Sequence, residues 1–149
     1  MGQENSGAGQ RTPLATVAVI GAGPSGLFTA QALAARGVRA DVIDTLAAPF
    51  GLVRYGIAPD HAQMKSVAAV LARPFATAMA RLIGNVNVGA DVTLEELRTH
   101  YRAVVLATGC AQDRALDVPG EGLDGSLGSG QLVGWYGGHP SRFGCAPVL

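Results

Sequence analysis

Short unbroken apolar runs mark the chain at TVAVI (16–20) and AVVLATG (103–109). Such runs, without polar alternation, are what strands buried on both faces of a parallel sheet show. RADVID (39–44) reads as another strand, closing on an acid. Between the first two strands, LFTAQALAARG (27–37) is helical in composition and ended by Gly37. The Ala-rich stretch 61–84 predicts helix, broken or kinked at Pro74, because proline removes a donor and crowds the preceding turn. NVNVGADVT predicts a short strand at 86–88, and Thr93 with Glu96 predicts a capping box for the brief helix LEELRTHY. PGEGLDGSLGSG (119–130) is a glycine-rich loop, and QLVGWYGG (131–138) suits one or two helical turns. No internal repeat is present. The β-α-β-(α)-β-α-β order predicts an open, mostly parallel α/β sheet.

The first turn carries the chemistry. GAGPSG sets Gly21, Gly23 and Gly26 in GxGxxG spacing between a predicted strand and a predicted helix, with Ala22, Pro24 and Ser25 between them. Gly21 suits the tight turn, Gly23 lets backbone approach a pyrophosphate, and Gly26 lets the helix pack close to the strand. The helix start then faces the anion with free N–H groups. Asp44, at the end of the second strand, is placed to accept from ribose hydroxyls, and an acid there argues against a 2′-phosphate. This is the arrangement of a Rossmann-like dinucleotide site, and by itself it leaves FAD and NAD open. AVVLATG favours FAD, since in flavoproteins with two dinucleotide sites a strand ending in ATG, here Thr108 and Gly109, runs beneath the cofactor. Next comes PFGLVRYGIAPDH (49–61), with two glycines, two prolines, an arginine and a histidine among apolar residues. That is too apolar for a plain connector, so it is expected to touch something.

Composition narrows the field. A chain of 149 residues, 48% hydrophobic, suits one globular domain. The formal net charge of +0 gives no electrostatic case for nucleic acid or an anionic membrane. No apolar run reaches the roughly 20 residues a membrane span needs. Residues 1–14 read as a flexible leader, neither secretory signal nor transit peptide. Cys110 and Cys145 form no CxxC and no metal-ligand cluster, which excludes a dithiol flavoprotein reductase and suits a reduced, cytoplasmic setting. Lys65 is the sole lysine beside ten arginines, a bias that hints at a bacterial source.

In order, VAVIGAGPSGLFTAQALAARG, DTLAAPFGLVRYGIAPDH, NVNVGADVTLEEL, AVVLATG and VPGEGLDG…LVGWYGGHP resemble adrenodoxin reductase and its bacterial NADPH–ferredoxin reductase relatives. The resemblance runs from about residue 15 to about residue 140, and the 49–61 stretch is its most specific part. It implies an FAD-binding lobe over 15–140, with electrons passing from NADPH through FAD to a ferredoxin-like iron–sulfur protein. It implies that Gly21, Gly23, Ser25 and Gly26 hold the FAD pyrophosphate, and that Asp44, where the family usually has Glu, holds the ribose. Gly51 and Leu52 match backbone at the cofactor, and Val88 matches the main-chain contact to adenine. His61 matches a histidine near the flavin that organises hydride transfer with an acid from the NADPH domain. The family's NADPH domain, with its second glycine fingerprint, has no counterpart here. Residues 141–149 therefore read as a truncated tail, and the chain as an inactive fragment of such a reductase. The alternatives are a non-catalytic remnant that binds dinucleotide weakly, and another FAD- or NAD-dependent oxidoreductase.

Overall fold

The computed structural model describes residues 16–58, 60–110 and 112–142, so the leader, Pro59, Cys145 and most of the tail lie outside the described residues. Four strands, β1 (Thr16–Ile20), β2 (Arg39–Ile43), β3 (Ala80–Ile83) and β4 (Ala103–Leu106), form a wholly parallel sheet in the order β3-β2-β1-β4. Ile20 pairs with Ile43 and with Leu106, and Ile43 pairs with Ile83. That register brings the carboxyl ends of the strands to one rim. The chain reverses its strand order beside β1, the place where open α/β sheets bind ligands.

Helix α1 (Pro24–Ala34) follows β1. It ends because Gly37 takes φ 72, a conformation open to glycine, while the Gly37 and Val38 N–H groups donate back to the Ala34 and Leu33 carbonyls. One sheet face packs Val17, Val19, Ala40, Val42 and Ala80 against Leu27 and Ala30 of α1 and against Leu71. The other face packs Ala18, Ile20 and Ile43 against Leu97 of α6 (Leu94–His100). The capping box expected at Thr93 is present: its hydroxyl accepts from the Glu96 N–H, and its own N–H donates to the Glu96 carboxylate at 2.8 Å.

The stretch expected to be helical over 61–84 divides differently. It forms α3 (Ala62–Lys65), α4 (Val67–Leu71) and α5 (Arg73–Ala76), with the break before Pro74, and then the strand β3. Alanine and leucine favour helix locally, but the open edge of β2 needs backbone partners, and the segment after α5 supplies them: Ala40 N–H donates to Met79 O and Asp44 N–H to Ile83 O, each at 3.0 Å. Ala78, at φ 54, turns the chain into that strand. Residues 86–88 are correspondingly not the third strand; Val88 makes only an isolated bridge with Val92. β4 is also shorter than expected and is not buried. Among the described residues it is an edge strand, with Leu106 65% exposed. The two remaining α-helices among the described residues are α2 (Leu52–Tyr55) and α7 (Ser129–Tyr136). Among the described residues no helix is long and apolar enough to cross a membrane.

Candidate functional site

The glycine turn sits at the rim between β1 and α1, and its glycines answer to different constraints. Gly21 takes φ 110, and a Cβ there would run into the Ala107 carbonyl oxygen of the turn after β4. Its N–H donates to Ile43 O at 2.7 Å, tying the turn to β2. A Cβ on Gly26 would meet the Gly21 carbonyl oxygen, so α1 packs backbone to backbone on the strand turn. Gly23 is different: nothing lies within 4 Å of where its Cβ would be. Packing explains two of these glycines; Gly23 instead keeps a face of the turn clear.

That clear face adjoins the start of α1. Pro24 has no N–H to satisfy, and helix geometry leaves the Ser25 and Gly26 N–H groups without intrahelical carbonyls. No side chain caps this end and no acid stands in its first turn. The first turn of α1 therefore brings no anion of its own to the positive end of the helix dipole, and the donor set fits a phosphate.

Asp44 approaches from the end of β2. Its Oδ2 accepts from the Ala22 N–H at 2.6 Å and its Oδ1 from the Leu46 N–H at 2.8 Å, which fixes the carboxylate beside the turn. The Asp44 carbonyl accepts from the Val86 N–H at 3.0 Å, so residues 86–88 run alongside, with Val88 packed against the cluster of Ala18, Ile20, Ile43 and Leu97.

The 49–61 stretch closes directly onto the glycine turn. Phe50 N–H donates to Ala22 O at 2.8 Å, and a Cβ on Gly51, itself at φ 48, would lie 3.0 Å from the Gly23 Cα. Phe50 takes φ 91, an outlier for a bulky side chain that costs about 1–3 kcal/mol. Buried Val53 anchors α2 into the core behind it, while Leu52 is 70% exposed at the front. On the opposite side, Thr108 and Gly109 follow β4, with Gly109 at φ 70 and open space beside it.

The fold thus brings Gly21, Ala22, Gly23, Pro24, Ser25, Gly26, Asp44, Gly51, Leu52, Thr108 and Gly109 to one rim, with Val88 behind Asp44. His61 stands apart from them. It is exposed at the head of α3, where Nδ1 lies 2.9 Å from Asp60 Oδ1. Two features escaped the sequence reading. One is the use of Asp44 to brace Ala22, and the other is the positive φ of Phe50, which its residue type does not signal.

The sequence profile of the pyridine nucleotide-disulphide oxidoreductases matches residues 15–133. The chain belongs to that family. It is 42% identical over 142 residues to the mitochondrial NADPH:adrenodoxin oxidoreductase of Bos taurus, covering 94% of this chain and 28% of the bovine protein. It is 39% identical over 140 residues to the NADPH-ferredoxin reductase FprA of Mycobacterium leprae, covering 89% of this chain and 31% of that protein. The structure of Mycobacterium tuberculosis FprA in complex with NADPH superposes with a TM-score of 0.85 at 38% identity, over 90% of this chain and 31% of that one. The chain therefore spans less than a third of the length of these relatives. They range from cattle to mycobacteria, so they leave the source suggested by the arginine bias undecided.

Proposed function

We propose that these residues form the FAD-binding part of an NADPH-dependent ferredoxin reductase of the adrenodoxin reductase type. The observation that carries the reading is the clear face at Gly23, set against an uncapped helix start and beside the braced Asp44. The N–H groups of Ser25 and Gly26 would hold the pyrophosphate, Asp44 the adenosine ribose, and the backbone at Val88 the adenine. Gly51 and Leu52 would border the cofactor from one side, Thr108 and Gly109 from the other. When bound, FAD supplies the chemistry that joins a two-electron donor to a one-electron acceptor. NADPH would be that donor and a ferredoxin-like iron–sulfur protein the acceptor, both named for the relatives above. His61, hydrogen-bonded to Asp60, would orient the nicotinamide from the exposed side of the loop. Replacing it with Gln in a full-length reductase of this type should leave FAD bound but slow flavin reduction by NADPH, read as flavin bleaching in stopped flow. An unchanged reduction rate would remove His61 from the site.

Equilibrium titration of the chain with FAD, FMN and NAD tests the main reading. FAD should bind most tightly, because FMN lacks the adenosine that Asp44 and Val88 would hold. FMN binding as tight as FAD would overturn it.

A further inference from the structure

We propose that Arg54 is a positioning residue that staples the 49–51 turn against the glycine turn and so sets the shape of the phosphate site. The proposal rests on the dinucleotide reading above. Arg54 lies on α2 and is exposed, where a solvated charge is the ordinary expectation. Its side chain instead folds back: Nε donates to the Pro49 carbonyl at 3.0 Å. The guanidinium carbon stands 5.3 Å from the Phe50 ring centroid and 6.0 Å from that of Tyr55. Tyr55 is itself held, its ring edge-on to His139 with centroids 5.0 Å apart. The guanidinium therefore grips both the carbonyl before Phe50 and the Phe50 ring.

Phe50 is the residue that needs gripping. At φ 91 it occupies a region that bulky L-residues avoid, and it persists only where its surroundings over-determine it. Its N–H is the donor to Ala22 O, and the following Gly51 runs so near Gly23 that a Cβ on it would lie 3.0 Å from the Gly23 Cα. If Phe50 relaxed, Gly51 would move with it and the backbone around Gly23 would lose its support. The Arg54 side chain reaches Pro49, Phe50 and Tyr55, so it would act on the phosphate face through Phe50 and Ala22. Lysine could not replace it, because the contact uses a planar group that stacks and donates from Nε together.

The test uses Arg54→Met and Arg54→Lys in this chain, with two readouts. The first is hydrogen exchange of the Phe50 amide by NMR without ligand, with the Val19 and Val42 amides of the core as internal references. The second is FAD titration. In both variants the Phe50 amide should exchange about tenfold faster while Val19 and Val42 stay unchanged, and FAD should bind about tenfold more weakly. Unchanged Phe50 exchange in Arg54→Met would overturn the proposal. So would a rescue of FAD affinity by lysine, which would mark Arg54 as a plain charge near the phosphate. Faster exchange at Val19 and Val42 as well would reduce Arg54 to a general stability role, also against it. A wild-type chain that binds no FAD would defeat the dinucleotide reading instead, and the exchange readout would still decide whether Arg54 holds the turn.

Discussion

At the glycine turn, residues of one type answer to different forces, and substitution by alanine should separate them. At Gly26 an added methyl would drive into the Gly21 carbonyl, an obstacle made of backbone that cannot swing aside. Gly26→Ala should therefore cost about 2–3 kcal/mol of stability in urea denaturation, as overpacking does. At Gly23 the same methyl meets nothing, and the residue is the N-cap of α1 with φ −77. Gly23→Ala should cost less than about 1 kcal/mol. It should nonetheless weaken FAD by about 10–100-fold, by blocking hydrogen bonds to a charged ligand worth about 1.5–3 kcal/mol. Equal stability losses in the two variants would refute this division. The spacing and identity of these glycines were legible in the sequence, as was the place of Asp44, because a strand, a tight turn and a helix leave a local signature. The open approach at Gly23 and the close packing of α1 at Gly26 were legible in the same way; that the Ala107 carbonyl after β4 backs Gly21 was not, since the two lie more than 80 residues apart.

Among the elements, β2 and β3 are joined by a charge that hydrophobic patterning would exclude. Asp41 is buried in β2, where Arg81 of β3 meets it with Nε at 3.1 Å and Nη2 at 2.7 Å, and the Tyr101 hydroxyl donates at 2.9 Å. The hydrogen bond and charge of Asp41 raise the Arg81 pKa above its usual value; burial, followed by the Asp41 hydrogen bond, raises that of Tyr101. Asp41 is the buried partner, its side chain 10% exposed against 65% for Arg81, so the costly change is to leave Asp41 alone. Arg81→Met should destabilise by about 2 kcal/mol, less than a fully buried pair would because Tyr101 remains and Arg81 is exposed. Tyr101→Phe should cost about 1 kcal/mol, and the double variant Asp41→Leu, Arg81→Met should return to within about 1 kcal/mol of wild type. Urea midpoints decide it, and a double variant worse than Arg81→Met would sink the argument. This pairing also explains why β3 escaped the sequence reading. ARLI inside an alanine-rich stretch has no strand signature of its own, and only the match of Arg81 to Asp41 and of Leu82 to Val42 assigns it to the sheet. The cap of α6 was legible because it is local. Hydrogen bonds from the Thr93 N–H and hydroxyl hold the Glu96 carboxyl below its usual value near 4.5. A carboxylate whose folded pKa is depressed contributes stability that is full above its unfolded value and is lost as pH falls through the folded one. The loss of urea midpoint in Thr93→Ala should therefore be larger at about pH 7 than at about pH 3; an equal loss at both would rule this out.

For the molecule as a whole, the side of the sheet away from β3 is unfinished among the described residues. β4 is its outer strand, Leu106 is 65% exposed, and a groove between β4 and α6 is lined by Leu94, Arg98, Tyr101, Arg102, Val104 and Leu106. Leu116 and Leu123 are 74% and 70% exposed in the loop that follows. These residues span under a third of their relatives, and the proposed function places one dinucleotide site, that of FAD, on them. Transfer of a hydride requires donor and acceptor at near-contact distance in fixed orientation, which a single dinucleotide site cannot provide. The 149-residue polypeptide studied alone should therefore bind FAD, self-associate through its apolar edge at micromolar concentration, and reduce ferricyanide with NADPH at well under about 1 per second. Sedimentation with and without FAD measures the association, and the ferricyanide assay measures turnover. A monomeric chain turning over at about 1–1000 per second, the range of ordinary enzymes, would mean that the rim at Gly23 and Asp44 contains a complete redox centre, and the division of labour proposed here would be wrong.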